Sequence, residues 1–170
     1  GNRKAYSVWC GMLGRCYDPN NINYHNYGGR GAIVDSSWFN FQNFAGWYES
    51  HKLLDDVQYE VDKDIMCKGN LLYSGYTCYV VPSILNTQFR NYDELEEATI
   101  GVGVSKWGGF HARCSVSVER LWLGTYKSNE EAKEVYLKTK ADYVMKLARD
   151  LYEKRLITED ILVSILERYS

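Results

Sequence analysis

At 170 residues, with 45% hydrophobic and 25% charged content, the chain has the make-up of a soluble globular protein with one ordinary domain or two small ones. Its net charge of −2 argues against indiscriminate nucleic-acid binding, which needs a basic surface, and no apolar run approaches the roughly 20 residues of a membrane span. Five cysteines without a CxxC pair are no disulfide scaffold and favour a reducing, cytoplasmic compartment.

The first residues carry neither a signal-peptide pattern nor an initiator Met. From Ala5 to Cys16, Tyr6, Trp9, Leu13 and Cys16 recur at helical spacing, so an amphipathic helix is predicted. It ends at the turn cluster Tyr17-Asp18-Pro19-Asn20-Asn21. Cys10, Cys16 and His25 match no common structural zinc spacing, and the two cysteines are expected to pack as small hydrophobes. Tyr24 to Gly31 (YHNYGGRG) is a glycine-rich loop without the Lys-Ser/Thr of a P-loop. In it Arg30 is a candidate phosphate grip, with Tyr24 or Tyr27 stacking. The plainer reading is a structural turn.

Ile33 and Val34 suggest a short strand. Ser36 or Ser37 is expected to cap a second helix with the aromatic stripe Trp38, Phe41, Phe44 and Tyr48. Tyr59 to Ile65 (YEVDKDI) reads as a strand, followed by a loop and a helix from about Val81 through Asn86. The acidic stretch Tyr92 to Glu97 is the candidate linker, giving two units, 1–97 and 98–170.

In the second unit Phe110, Ala112, Cys114, Val116 and Val118 alternate with His111, Arg113, Ser115 and Ser117. Period-two alternation of this length predicts a half-buried antiparallel strand. Arg120 to Gly124 repeats it, with Leu121 and Leu123 inward and Arg120 and Trp122 outward. Ser128 and Glu131 form a capping box for a helix from Asn129 towards Lys154, and Thr158 is expected to cap a last helix. Between Gly101 and Lys127 four cations (Lys106, Arg113, Arg120, Lys127) face Glu119 alone, a local excess of three. A sheet with one face on a helix and the other carrying Arg, His, Trp and Ser suggests a nucleic-acid reader.

The landmarks Gly101-Val102, Trp107-Gly108, Phe110, Ala112, Leu123-Gly124, Tyr126, Glu130-Glu131-Ala132 and Tyr136 fall in the order of an AP2 DNA-binding domain, which this unit resembles. That resemblance implies a three-stranded antiparallel sheet on one helix, its outer face laid into the major groove of double-stranded DNA. By position it implies contacts from Lys106, Trp107, His111, Arg113, Ser115, Arg120 and Trp122. Where the family's first strand is rich in arginine, this chain has Gly103-Val104-Ser105-Lys106.

The first unit, through YSVWCGMLGRCY, YHNYGGRG, VDSSWFNFQNFAGWY and VDKDIMCKGNLLYSGYTCYVVPSILN, is similar to phage-encoded HNH-type homing endonucleases. The implied frame is a ββα-metal unit, making the whole an α+β protein with a C-terminal helical extension. In it Asp62, Asp64 and Asn86 would hold Mg²⁺ or another divalent cation, for an endonuclease or nickase. No histidine falls inside the motif, which leaves Asp64, Lys63 or a borrowed His25 as the catalytic candidates. The plainer role of Asp62 and Asp64 is turn and cap chemistry. The rival expectation is a non-cutting phage protein that inhibits a host defence protein in the host cytoplasm, its exposed aromatics forming the interface.

Overall fold

The computed structural model describes residues 2–90, 101–116 and 119–169. The proposed linker at 92–97, and Ser117 and Val118 of the expected strand, lie outside them. The elements mix helix and strand as an α+β chain does, and no described helix is long and apolar enough to cross a membrane.

Helix α1 (Asn2–Tyr17) buries Ala5, Met12 and Cys16 along one face, with Val8, Trp9 and Leu13 at its margins. That face packs on α2 (Phe41–His51) through Phe44, Ala45 and Tyr48. The Trp9 indole N–H donates to the Trp38 carbonyl at 2.7 Å. Tyr6, expected on the apolar stripe, stays half exposed against Phe41, and Cys10 is exposed. The capping of α2 also differs from expectation. Asp35 accepts from the Ser37 N–H and closes a 3₁₀ turn, Ser36–Phe39. Asn40 then breaks the path and caps α2 by accepting from the Gln42 N–H at 2.9 Å. Serines in a first turn compete poorly with an Asx side chain placed just ahead of them.

The glycine-rich segment forms two successive 3₁₀ turns, Tyr24–Asn26 and Gly28–Arg30. A side chain at Gly28 would have its Cβ 2.0 Å from the Cys16 carbonyl oxygen, so only glycine lets this loop press against the end of α1. Strand β1 (Ile33–Val34) pairs in parallel with β3 (Leu72–Tyr73). Strand β2 (Tyr59–Asp62) pairs antiparallel with β4 (Tyr79–Pro82), and α3 (Ser83–Arg90) follows at once. The helix expected from Val81 thus begins two residues later. Val80 and Val81 are β-branched and pair with Val61 and Glu60, and Pro82, with no N–H to give, ends the strand.

The second sheet has the order β5-β6-β7, formed by Val102–Val104, Phe110–Val116 and Glu119–Tyr126. Ala112 and Cys114 are fully buried against Ala132 and Tyr136, as the alternation predicts. The register shifts between Ala112, opposite Gly124, and Arg113, opposite Trp122, so Leu123 is an extra residue on β7. Leu121, expected inward, is 37% exposed. Helix α4 (Asn129–Glu153) starts at the expected box: Ser128 Oγ accepts from the Glu131 N–H, and Glu131 reaches back to the Lys127 N–H. At α5 (Glu159–Tyr169), the Thr158 hydroxyl donates to the Asp160 carboxylate instead of capping a backbone N–H.

One core crosses the chain. Ile65, Val81 and Leu85 pack with Val144, Ala148 and Leu151 of α4 and with Ile157, Ile161 and Ile165 around α5. Hydrogen bonds follow the same path: Tyr59 hydroxyl to the Leu156 carbonyl at 3.1 Å, and Arg168 to the Asp64 carbonyl at 2.7 Å.

Candidate nucleic-acid interface

Two surfaces gather the residues that the sequence nominates. On the outer face of the second sheet, His111 and Arg113 of β6 stand beside Trp122 of β7. The His111 and Trp122 rings stack at 5.5 Å and 21°, and the Arg113 guanidinium lies 5.1 Å from the Trp122 ring. Gly103 makes room for this layer, because a Cβ there would lie 2.7 Å from the imidazole. Trp122 remains 57% exposed. Arg120 is opposite Ser115, extending the same face. The bulge at Leu123 is what keeps Arg120 and Trp122 level with Ser115 and Arg113. Lys106 and Trp107 occupy the β5–β6 turn, closed by the Ser105 N–H to the Gly109 carbonyl at 3.0 Å, and Trp107 is 95% exposed.

The second surface is a cleft of about 1240 Å³ between α1, the 3₁₀ turns and the β2 end. Helix α1 lines it with Lys4, Ser7, Gly11 and Arg15, the spacing of one helical face. Asn26, Tyr27 and Arg30 form another wall, with Asp62, Lys63, Asp64 and Asn86 opposite. Four of the five HNH-like candidates therefore share one cavity with Arg30. His25 is exposed on its 3₁₀ turn and is not part of the cleft wall.

Within the cleft each acidic candidate has protein partners. Asp62 Oδ1 accepts from the N–H groups of Asp64 and Ile65 at 2.8 and 2.6 Å, an Asx-type turn. Burial pushes its carboxyl up to about 6, against the pull of the Ile65 hydrogen bond. Lys63, buried, donates to both oxygens of Asp64 at 2.7 and 2.8 Å. The Asn86 amide donates to Glu60. Asn70 braces the loop by donating to the carbonyls of Lys63 and Leu72 and accepting from the Leu72 N–H. Among the described residues no three His, Cys, Asp or Glu side chains form a group able to hold a metal ion. A divalent cation at Asp64 would have to displace the Lys63 ammonium, so this donor set as arranged does not fit one.

Sequence reasoning missed Arg15 and Tyr73, and named Tyr27 only as a stacking side chain beside Arg30. The Arg15 guanidinium sits 5.1 Å from the Tyr27 ring, and Lys63 Nζ sits 5.8 Å from the same ring. Burial drives the Tyr73 phenol far above its usual range, with Arg15 pulling the other way. Arg15 was legible only as a cation at the end of an amphipathic helix; its pairing with Tyr27 depends on the close approach at Gly28. No protein-family description, characterised protein or solved structure matches this chain.

Proposed function

We propose that the protein binds double-stranded DNA through the outer face of the β5-β6-β7 sheet. The observation that carries this reading is the His111–Trp122–Arg113 layer. An arginine held over an indole is aimed before it meets a ligand, and its planar fork suits the O6 and N7 edge of guanine. Arg120, Lys106 and Ser115 supply cationic and hydroxyl contacts for the flanking phosphates. The local excess of positive charge between Gly101 and Lys127 gives a net-acidic protein one face suited to a polyanion.

Mobility-shift titrations of duplex DNA over a salt series test the proposal. Arg113→Ala and Trp122→Ala should each weaken binding by about tenfold or more, the usual cost of a base-directed side chain, with unchanged thermal melting. Absence of any shift at low salt rejects DNA binding. Wild-type affinity in both variants moves the interface off this face.

A further inference from the structure

The geometry points to a second, metal-independent site in the α1 cleft: a phosphate-binding site in which Arg15 is the anion grip and Lys63 is a resident cation.

Arg15 is half-buried, and its Nε lies in the protein without a hydrogen-bond acceptor. Among the described residues it forms no ion pair. A guanidinium removed from water without a carboxylate is costly, and the cost is recovered when an anion arrives. Tyr27 and Tyr73 are its neighbours, with the Tyr27 ring centroid 5.1 Å from the guanidinium carbon. The guanidinium folds back along α1, so that a Cβ at Gly11 would stand 3.5 Å from one of its terminal nitrogens, an ordinary contact.

Lys63 approaches the same Tyr27 ring, so two cations converge on one patch of the cavity. It also holds both oxygens of Asp64, the arrangement a divalent cation would otherwise take. With the lysine there, the Asp64 carboxylate is neutralised without a metal, and Arg15 is left as the cation that meets an incoming phosphate. Arg30 and Lys68 line the same cavity, and Lys4 lies at the far end of the α1 face. The chemistry selected is a tetrahedral oxyanion with several acceptor oxygens, from a nucleic-acid backbone or from a free phosphate.

For the source of that phosphate this rests on the DNA reading above, but its residues are separate from the sheet. Two readouts test it: fluorescence anisotropy of a labelled duplex, and melting with inorganic pyrophosphate, each in EDTA and in Mg²⁺ at matched ionic strength. Wild-type binding should be equal in the two buffers. Arg15→Gln should weaken duplex binding about tenfold and lower the salt slope by about 1, as loss of one phosphate contact does. Arg15→Lys should recover part of it. Pyrophosphate should raise the melting temperature of the wild type in EDTA and leave Arg15→Gln unmoved. Lys63→Gln, checked for folding by its own melt, should bind weakly in EDTA and recover with Mg²⁺, because Asp64 is released to hold the metal.

Wild-type binding that EDTA abolishes, or a Lys63→Gln protein unchanged in EDTA, overturns the resident cation. Wild-type behaviour of Arg15→Gln in both readouts overturns the phosphate site. If pyrophosphate stabilises the wild type while no duplex binds, the sheet proposal falls and the cleft takes free phosphate. If duplex binding responds at Arg113 and Trp122 but not at Arg15, the cleft proposal falls alone.

Discussion

Burial raises the Asp62 carboxyl to about 6 although two backbone N–H groups stabilise its charged form. The sign of the consequence follows from linkage. Below about pH 4 the group is protonated in the folded and unfolded chain alike, from an ordinary value of 3.8. As pH rises towards about 6 the unfolded chain releases its proton first, so stability falls across that window and then levels off. A rise of about two pH units corresponds to roughly 3 kcal/mol. Asp62→Asn keeps the oxygen that accepts both N–H bonds and removes the charge. It should therefore raise stability at neutral pH by up to about 3 kcal/mol and flatten the pH dependence between 4 and 6. Denaturant titrations at several pH values measure this; an unaltered slope means that Asp62 is not the group responsible. The turn role of Asp62 was readable from VDKD, because an Asx turn is a local event. Lys63 was not readable as the partner of Asp64. Adjacent residues in a strand point to opposite faces, and only where β2 ends at Asp62 do the two side chains turn together.

At the level of single elements, α4 ends in a Schellman arrangement. The Leu156 N–H donates to the Leu151 carbonyl at 2.8 Å and the Arg155 N–H to the Tyr152 carbonyl at 2.9 Å. Arg155 takes the left-handed position, with φ 57°, where a side chain crowds its own backbone. Arg155→Gly should raise stability by about 1 kcal/mol, since glycine adopts this conformation without that strain. A fall in melting temperature would mean that the arginine side chain contributes more than its backbone costs. The start of α4 was legible because a capping box is written in four consecutive residues. Its end at Glu153 also falls where the apolar stripe runs out, next to the expected Lys154, but the left-handed stop was hidden, because nothing in Lys154-Arg155-Leu156 resembles the usual glycine. Strand β4 was misread for a related reason. The run Tyr79-Val80-Val81-Pro82 is apolar throughout, so its period does not separate a buried strand from a helix turn, and the pairing with Tyr59–Asp62 decides it. The bulge at Leu123 was equally hidden, although the alternation around it was plain.

Across the whole molecule, the helices after residue 128 complete the core of the residues before 90. Ile65, Val81 and Leu85 would be bare in a fragment ending at 97. At about 1.5–3 kcal/mol for each large apolar side chain exposed, the loss is comparable to the total stability of an ordinary domain. Residues 1–97 made alone should therefore melt without a cooperative transition, and adding residues 98–170 should restore one. Calorimetry of the separate and mixed fragments decides it; a cooperative transition in 1–97 alone would show that its own core suffices. The sequence revealed two aromatic and aliphatic patterns of ordinary helices and strands. It did not reveal that α4 and α5 would close over Val81 and Leu85, because amphipathic stripes state that a face is buried and not against what.

Helix α4 has 25 residues, about 37 Å at 1.5 Å per residue. Its first turns lie under the β5-β6-β7 sheet through Ala132 and Tyr136, and its last turns carry Ala148 and Leu151 into the shared core behind the Asp62–Asp64 loop. The rod is thus close in length to one turn of B-form DNA, about 34 Å. If a duplex binds the sheet as proposed and its axis runs along this rod, the same groove side would return at its far end. The helical phase of the DNA, and not a flexible tether, would then set where the second contact falls.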